Sequence, residues 1–299
     1  MRSYSFLVNP LSGGGAAPAA VVPVARLLRD AGAEVEVTYS PGPKAMLSIV
    51  RDAAESGDVV VAVGGDGMLS SIAGELSRLD GVLGMIPAGR GNDFARMLKL
   101  HDEPERVAET LLHGAETAID LISLEVPGSE RRRVAGSVYS GVDARAGAIV
   151  DKVRWMPKKL QYPYAAVHSL ATYVPSVFTV VADGQARTFR AATVVIANSG
   201  YYGKGMLIAP DASVTDGLLD VVVIGASSRR EMIHAMPKVY DGSHVQLEQV
   251  ETFRAAEVEI SAAPAVPMGG DGEPLGMAPT RPEAPARVSV LPAALKVLI

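Results

Sequence analysis

The sequence of 299 residues contains no cysteine. Disulfide bonds, thiolate zinc sites, iron–sulfur clusters and cysteine nucleophiles are therefore excluded together. Basic residues are not in excess either, because 28 Lys and Arg stand against 33 Asp and Glu, which argues against general nucleic-acid binding. Residues 59–63 and 218–226 are apolar runs far shorter than the ~20 residues of a membrane-spanning helix. With no signal-peptide pattern at the start, we expect a soluble, cytoplasmic protein that contacts membranes only peripherally.

The first part of the chain alternates strand patterns with helix patterns. Strand patterns lie at residues 5–8, 34–39, 59–63, 82–86 and 117–126. Repeated β-α-β units predict a parallel sheet with helices on both faces. We assign residues 1–126 to this α/β domain and expect residues 288–299 to return to it.

After residue 126 short strands dominate the pattern. They are predicted at 134–139, 178–183, 188–197, 218–224 and 257–261, and helices only at 147–155, 160–173 and 229–240. Asp183-Gly184 predicts a hairpin turn. Residues 262–286 contain six prolines and are predicted to form a loop. We assign residues 127–287 to a β-rich second domain.

Gly64-Gly65-Asp66-Gly67 lies between a buried strand and a helix. The glycines allow a sharp turn and close approach of a ligand, and the helix N-terminus attracts anions. Asp66 would repel a bare phosphate, so the pattern favours a nucleotide that carries a metal ion. The alternative is an ordinary turn with a capping aspartate.

A second glycine turn, residues 87–92, follows the next strand and leads into Asp93. Taken alone, Asn92 and Asp93 are typical helix caps. Two such turns at adjacent strand ends favour a ligand site, because ligands of open α/β sheets bind at that edge. Asp120, in an apolar strand, either faces the same crevice or serves as a cap. No P-loop motif is present.

The late segment 269–274 reads Gly-Gly-Asp-Gly-Glu-Pro. Its composition suits a linker, yet Asp271 between glycines can also be pressed against a substrate. There it would accept a proton from an attacking hydroxyl, the general-base role in phosphoryl transfer.

Residues 126–170 form a locally basic region, with eight Lys and Arg against three Asp and Glu. Val153, Trp155, Met156 and Leu160 are interleaved with the basic residues. Basic and aromatic side chains together suit an anionic lipid surface. A solvated basic face is the alternative.

In chain order, these motifs resemble the diacylglycerol kinase catalytic-domain family, in its soluble bacterial branch, with sphingosine and ceramide kinases as relatives. The resemblance covers residues 3–299. It is carried by Asn9-Pro10 with its Ser-Gly turn, Gly-Gly-Asp-Gly at 64–67, Pro-x-Gly-x-Gly-Asn-Asp-Phe-Ala-Arg at 87–96, the segments 198–210 and 216–220, and Asp-Gly-Glu at 271–273. Gly-Gly-Asp-Gly alone is shared with NAD kinases and phosphofructokinases, whereas the other motifs are more specific.

The resemblance implies an α/β nucleotide-binding domain with a parallel sheet, a β-sandwich second domain, and an active site in the cleft between them. It implies ATP and Mg²⁺ as cofactors and a lipid hydroxyl, most often that of diacylglycerol, as acceptor at a membrane surface. A homodimer is compatible with it. The implied nucleotide contacts are Asn9, Thr38, Gly64, Gly65, Asp66, Gly67, Met68, Gly89, Arg90 and Asn92. The implied Mg²⁺ network is Asp66, Asp93 and Asp120, and the implied general base is Asp271 with Glu273 beside it. The implied structural metal site is the Asp216-Gly217 turn, with carbonyl groups near Ser213 and Leu218; an ordinary hairpin turn is the alternative.

Two positions depart from the family pattern, because Met68 and Arg90 stand where threonine is usual. We hypothesise that Arg90 supplies a charge to the nucleotide phosphates in place of the lost hydroxyl; the alternative is that it faces solvent. An NAD kinase and a non-catalytic lipid-binding relative remain as alternative functions.

Overall fold

The computed structural model describes residues 2–89, 91–153 and 155–299 of the chain. Its α-helices are α1 (Ala17–Asp30), α2 (Pro43–Glu55), α3 (Asp66–Leu79), α4 (Asp93–Met97), α5 (Pro104–His113), α6 (Val142–Lys152), α7 (Lys158–Thr172) and α8 (Arg229–Asp241). Across the described residues, no helix is both long and apolar enough to cross a bilayer.

The strands follow in the same chain order. They are β1 (Ser3–Val8), β2 (Glu34–Tyr39), β3 (Val59–Gly64), β4 (Val82–Pro87), β5 (Glu116–Glu125), β6 (Arg132–Val134), β7 (Ser137–Gly141), β8 (Ser176–Ala182), β9 (Gln185–Ala197), β10 (Tyr201–Tyr202), β11 (Met206–Leu207), β12 (Leu219–Gly225), β13 (Val250–Ala255), β14 (Glu257–Ala263), β15 (Pro267–Gly270), β16 (Glu273–Met277) and β17 (Ala286–Leu298).

The first four strands form a parallel sheet in the order β2-β1-β3-β4. In β3, Val59, Val61 and Val63 pack toward α1 and α5, whereas Val60 and Ala62 pack toward α2 and α3. Successive side chains of a strand point to opposite faces, so a strand covered on both faces must be apolar throughout. This explains the unbroken apolar run of β3 and places the ends of β1, β3 and β4 at one edge.

The second part of the chain is built on antiparallel pairing around β9, which contacts β7, β8 and β12. β8 and β9 form the predicted hairpin, and Asp183 (φ 45°) and Gly184 (φ 82°) both have positive φ, as the tight turn requires. Inward residues of β5, β8, β9, β12, β14 and β17 form one apolar core.

β17 connects the two parts because it is long enough to pair with strands of both. Its first residues pair with β14, and its last residues, Lys296 and Val297, lie parallel to β4. Along most of its length it also pairs with β5. The last strand of the chain therefore fixes the second part beside the parallel sheet.

The prediction of a loop over residues 262–286 is wrong in its middle, where β15 and β16 form a hairpin. β15 also pairs with β7. Pro267 begins β15 and Pro274 is near the start of β16, positions at which a strand tolerates the missing N–H. The two strands present the Asp-Gly-Glu motif at a turn of defined geometry.

Candidate active site

Three loops meet where the parallel strands end. A Cβ added to Gly89 would lie 2.5 Å from Cα of Gly65, and one added to Gly13 would lie 2.7 Å from the carbonyl oxygen of Ala88. The backbones therefore touch, and only glycine fits at these contacts. Asn92 closes its own turn, since its Oδ1 accepts a hydrogen bond of 2.8 Å from Gly89 N. The two predicted glycine turns are adjacent in space.

Asp66 and Asp93 converge on this edge. A Cβ added to Gly91 would lie 2.8 Å from Oδ2 of Asp66 and 3.1 Å from Oδ2 of Asp93. The carboxylate of Asp93 accepts the backbone N–H groups of Lys204 and Gly205 at 2.8 and 2.6 Å. Burial chiefly, and then the neighbouring charge of Asp66, raise the pKa of Asp93. Two carboxylates held together at a glycine-lined opening form an oxygen donor set that fits Mg²⁺.

Asp120 is directed elsewhere. Its two carboxylate oxygens accept N–H groups of Gly217 and Ala293, each at 2.8 Å, so it joins the turn before β12 to the irregular middle of β17. Within the described ranges no three His, Asp or Glu side chains form a metal-binding group. The structure thus brings Asp66 and Asp93 together but gives Asp120 other partners.

The side chains of Ser213 and Asp216, at the predicted structural metal site, make hydrogen bonds and a contact with the guanidinium group of Arg254. Oδ1 of Asp216 accepts Leu218 N at 3.1 Å, and its Oδ2 lies 3.6 Å from Arg254 Nη1. Arg254 also contacts Asp220 Oδ1 at 3.1 Å through Nε and donates to the carbonyl of Asp211 at 2.5 Å. Oγ of Ser213 lies 3.2 Å from the hydroxyl of Thr215. Arg254 therefore neutralises the carboxylates near which a cation is predicted.

Asp271 lies at the turn between β15 and β16, with φ 46° and followed by Gly272 with φ 84°. Its carboxylate accepts three successive backbone N–H groups, those of Ala135, Gly136 and Ser137, at 2.9 to 3.1 Å. Burial raises the pKa of Asp271, and these hydrogen bonds oppose the rise. A carboxyl group with a raised pKa at a cleft is suited to proton transfer.

Glu273, exposed at the start of β16, reaches back to the first glycine turn. A Cβ added to Gly67 would lie 2.8 Å from its Oε1. The Asp-Gly-Glu hairpin therefore contacts the N-terminus of α3 from the opposite side of the cleft. The Asp-Gly-Glu motif at 271–273 therefore lies against the Gly-Gly-Asp-Gly motif at 64–67.

Of the remaining predicted nucleotide contacts, Asn9, Thr38 and Met68 lie in the part of the chain that the structure describes. Asn9 directly follows β1, and its Oδ1 accepts Leu11 N at 3.0 Å. Thr38 lies in the neighbouring strand β2, where it pairs with Leu7 of β1. Arg90 lies outside the described residues. Sδ of Met68 covers Gly64, where an added Cβ would be 2.9 Å from it.

A cavity of about 1050 Å³ begins at these loops and extends beneath α6, α7 and α8. Most of its inner wall is apolar, lined by residues that include Val142, Ala146, Ala165, Met232, Ala235, Met236, Val239, Leu247 and Val250. We call this inner part the apolar chamber. The same cavity is lined at its outer end by Gly65, Asp66, Asp93, Asp271 and Glu273.

One polar cluster interrupts the chamber wall and was not recognised in the sequence. The carboxyl group of Asp143 accepts a hydrogen bond of 2.8 Å from the hydroxyl of Thr193, and Tyr202 lines the same cavity. Burial raises the pKa of Asp143. Asp143 belongs to no recognisable motif, because its sequence context is only Val-Asp-Ala at the junction of β7 and α6. The one available signal was a carboxyl group in a segment of small residues.

Comparison with known proteins identifies the group to which this arrangement belongs. Residues 3–124 match the family described as "Diacylglycerol kinase catalytic domain", and residues 136–299 match the "YegS C-terminal NAD kinase beta sandwich-like domain". A Mycobacterium tuberculosis protein named "Diacylglycerol kinase" is 33% identical, covering 98% of this chain and 93% of its own. The chain belongs to the diacylglycerol kinase catalytic-domain family.

Other members of the diacylglycerol kinase family extend the comparison. The "Diacylglycerol kinase" of Bacillus subtilis is 24% identical, covering 93% of this chain and 92% of its own. A crystal structure described as a diacylglycerol kinase from Bacillus anthracis has a TM-score of 0.71 at 17% identity, covering 99% of this chain and 96% of that one. The predicted fold class, a parallel-sheet α/β domain with a β-sandwich-like second domain, is confirmed. The chain is thus a member of a lipid kinase family.

The position of Arg254 generates a prediction about stability. Replacing it by Met should lower the melting temperature by about 2–4 °C, because a half-exposed ion-pair network contributes about 1 kcal/mol. Mg²⁺ or Ca²⁺ should then restore the variant by more than it shifts the wild type, since carboxylates have been freed. Thermal unfolding with and without EDTA measures both effects.

Arg230→Met, at an exposed position of α8, is the control for the loss of a surface arginine. Equal melting temperatures for the two variants would contradict the role given to Arg254. An equal rise in melting temperature on adding the cation, in the wild type and in the Arg254 variant, would also contradict that role.

Proposed function

We propose that the protein transfers the γ-phosphate of ATP to the hydroxyl group of a lipid, with diacylglycerol as the first choice of acceptor. One observation carries this proposal: a single cavity joins the glycine turns and carboxylates to the apolar chamber. A phosphate donor and an apolar acceptor would meet at the boundary between the two parts. The names of the M. tuberculosis and B. subtilis relatives support the choice of diacylglycerol.

The glycine turns form the nucleotide end of the site. Residues 64–67 lead into the N-terminus of α3, where free N–H groups and the helix dipole favour phosphate oxygens. Mg²⁺, when bound by Asp66 and Asp93, would neutralise phosphate charge that develops during transfer. These two carboxylates would otherwise repel the phosphates.

The apolar chamber forms the acceptor end of the site. Its wall is built largely from Val, Met, Ala and Leu side chains of α6, α8 and β13, which suit acyl chains rather than the two polar nucleosides of NAD. Burying an acyl chain contributes about 0.8 kcal/mol per CH₂ group. The chamber therefore favours a lipid over the dinucleotide acceptor of the alternative function.

Asp271 is the proposed general base. It would accept the proton of the lipid hydroxyl as that oxygen attacks the γ-phosphorus, and ADP would leave with the electrons of the broken P–O bond. Its position on a turn, opposite the N-terminus of α3 and lining the cavity, supports this role. Glu273 would remain beside the phosphates as an exposed carboxylate.

Asp271→Asn should lower the rate of phosphate transfer from labelled ATP about 10²–10⁴-fold, because the amide cannot accept the proton. The acceptors to assay are diacylglycerol, sphingosine, ceramide, monoacylglycerol, phosphatidylglycerol and NAD⁺. Glu283→Gln, an exposed carboxyl group on the same proline-rich segment, is the control. Retained binding of Mg·ATP by the Asn variant would show that the site still folds.

A wild-type rate in Asp271→Asn would contradict the general-base role. Label in NAD⁺ alone would contradict the lipid acceptor and favour the sister family. The general-base role of Asp271 and the lipid identity of the acceptor are therefore tested independently.

We propose further that the outward face of α7 contacts the membrane. Trp155, just before the helix, is 81% exposed and Val167 is 64% exposed, and Leu160 and Tyr164 lie on the same helix face. The opposite face of α7 lines the apolar chamber through Ala165 and Ser169. The local excess of basic residues complements an anionic lipid surface, and α7 would separate that surface from the chamber.

Trp155 is the only tryptophan of the chain, so its fluorescence reports this contact directly. Vesicles of phosphatidylcholine with phosphatidylglycerol should shift its emission to the blue, and salt should weaken the effect. Val167→Glu should weaken binding about tenfold or more, whereas Val22→Glu, 66% exposed on α1, should leave it unchanged. An unshifted emission, or equal weakening in both variants, would contradict contact through this face.

Ala235 on α8 lines the chamber, and its replacement by Phe should shorten the space for acyl chains. We expect kcat/KM for a dioleoyl acceptor to fall about tenfold, the usual effect of adding bulk to a filled apolar site. A dihexanoyl acceptor should be affected much less. His234→Phe, exposed on the same helix, serves as the control, and equal effects on both acceptors would count against the chamber as the acyl site.

A further inference from the structure

Strand β7 runs along the cavity from the proposed general base to the inner end of the apolar chamber. At the start of β7, Ser137 N donates to Asp271 at 3.0 Å. At its end, Gly141 pairs with Thr193 of β9, and both Thr193 and Asp271 line the cavity. Four strand residues advance about 13 Å, at about 3.3 Å each. The two ends of the cavity are therefore separated by a length that the strand fixes.

Aromatic rings occupy the middle of this path. Tyr139, halfway along β7, pairs with Val195 of β9 and meets Tyr202 edge to face, with ring centroids 5.7 Å apart. Both tyrosines line the cavity. An acyl chain that lies along β7 would pass these rings before it reaches Thr193.

At the inner end, the hydroxyl of Thr193 contacts two oxygens. It lies 2.8 Å from Oδ2 of Asp143 and 3.1 Å from the carbonyl oxygen of Ser140. A hydroxyl has one proton, so Thr193 can donate fully to only one of them. When Thr193 donates to Ser140, its contact with Asp143 is a hydrogen bond only if the carboxyl group carries a proton. The pair of contacts therefore accommodates a neutral carboxyl group.

The surroundings of Asp143 also favour the neutral form. Asp143 lies in the first turn of α6, where free N–H groups ordinarily stabilise a carboxylate. Among the described residues, however, no N–H group donates to Asp143 and no cation forms an ion pair with it. Burial raises its pKa. The side chain is half-buried and lines the cavity, and a protonated carboxyl group there can both donate and accept a hydrogen bond.

We propose that Asp143 binds a hydroxyl group on the acyl chain of the acceptor, about 13 Å from the hydroxyl that is phosphorylated. An extended chain advances about 1.25 Å per bond, since bonds of about 1.5 Å meet at tetrahedral angles. About ten bonds span the distance, and the hydrogen bonds at both ends add a few more, which places the bound hydroxyl at about the seventh to tenth acyl carbon. The inference rests on the proposed lipid acceptor and on Asp271 as its general base, and it adds a preference among lipids.

The test measures phosphate transfer from ATP to three distearoylglycerols, whose second acyl chain carries no hydroxyl, a hydroxyl at carbon 2 or a hydroxyl at carbon 10. In the wild type, kcat/KM should be about tenfold higher for the 10-hydroxy acceptor than for the other two, the effect of one additional buried hydrogen bond. Asp143→Leu should make the three values equal. Asp143→Asn, which keeps a neutral hydrogen-bonding group of the same shape, should retain most of the preference.

Asp102→Leu, at an exposed aspartate, is the matched control and should show the wild-type preference. The preference is a ratio within one preparation, so a partly unfolded variant still reports it. Thr193→Val, which removes the hydroxyl that contacts Asp143, should weaken the preference and provides a second variant.

Three results would overturn the inference: equal kcat/KM for the three acceptors in the wild type, a preference that persists in Asp143→Leu, or a preference lost equally in the Asn and Leu variants. Asp271→Asn, assayed beside them, separates this inference from the proposal beneath it. Transfer to unsubstituted diacylglycerol that depends on Asp271 but shows no preference for the hydroxyl rejects the role of Asp143 alone. Transfer to none of the lipids rejects the proposed acceptor, and the role of Asp143 with it.

Discussion

The hydrogen bonds between Asp271 and the N–H groups of residues 135–137 are the interaction on which the rest of the site depends. These residues cross from β6 to β7, and their carbonyls are also bound, since Asn198 Nδ2 donates to Ala135 and the N–H groups of Asn198 and Ser199 donate to Gly136. Almost every polar group of the crossing is thereby paired away from water, as a buried turn requires. Without the carboxylate, the N–H groups of Gly136 and Ser137 would lose this partner, at about 1–3 kcal/mol for each buried N–H left unpaired, whereas Ala135 N would keep its contact with Ser70 Oγ.

The same interaction explains how the carboxyl group of Asp271 could combine its structural role with the proposed role of general base. Burial alone would favour the protonated acid, and hydrogen bonds alone would make the carboxylate too weak a base. The two effects oppose each other at Asp271. Asp93 shows the same balance, because the N–H groups of Lys204 and Gly205 offset its burial. At Asp93 the second part of the chain therefore contributes to the pKa of a group at the nucleotide edge, whereas Asp271 and its N–H donors all belong to the second part.

Much of the fold could be predicted because it follows from local pattern. The apolar run of β3 and the Asp183-Gly184 turn determine a covered strand and a hairpin with little help from distant residues. The β15–β16 hairpin could not be predicted, because six prolines between residues 262 and 286 outweigh its short strands. Its stability comes from pairing with β7, more than a hundred residues earlier in the chain, and no local pattern records that contact.

The candidate site likewise contains residues that could be predicted from the sequence and residues that could not. Gly65, Asp66 and Asp93 could be located from glycine turns at neighbouring strand ends, since the edge of a parallel sheet is a general ligand position. The hydrogen-bond and ion-pair partners of Asp120 and Asp216 could not be predicted, because the tertiary fold brings them there from other segments of the chain. Asp143 carries no motif, and its significance arises only from the hydroxyl of Thr193 and the cavity wall that it meets.

The joining of a charged edge to an apolar chamber has an electrostatic consequence of its own. The wall beneath α6, α7 and α8 is apolar over most of its area, and an apolar surrounding lowers the local dielectric and strengthens each electrostatic interaction at the boundary. Preorganised N–H groups at the start of α3 act most strongly on phosphate charge under these conditions. An acyl chain in the chamber would displace remaining water and increase this effect. In the proposed function, binding of the apolar acceptor and stabilisation of the transferred phosphate would therefore be coupled through the solvent that the acceptor removes.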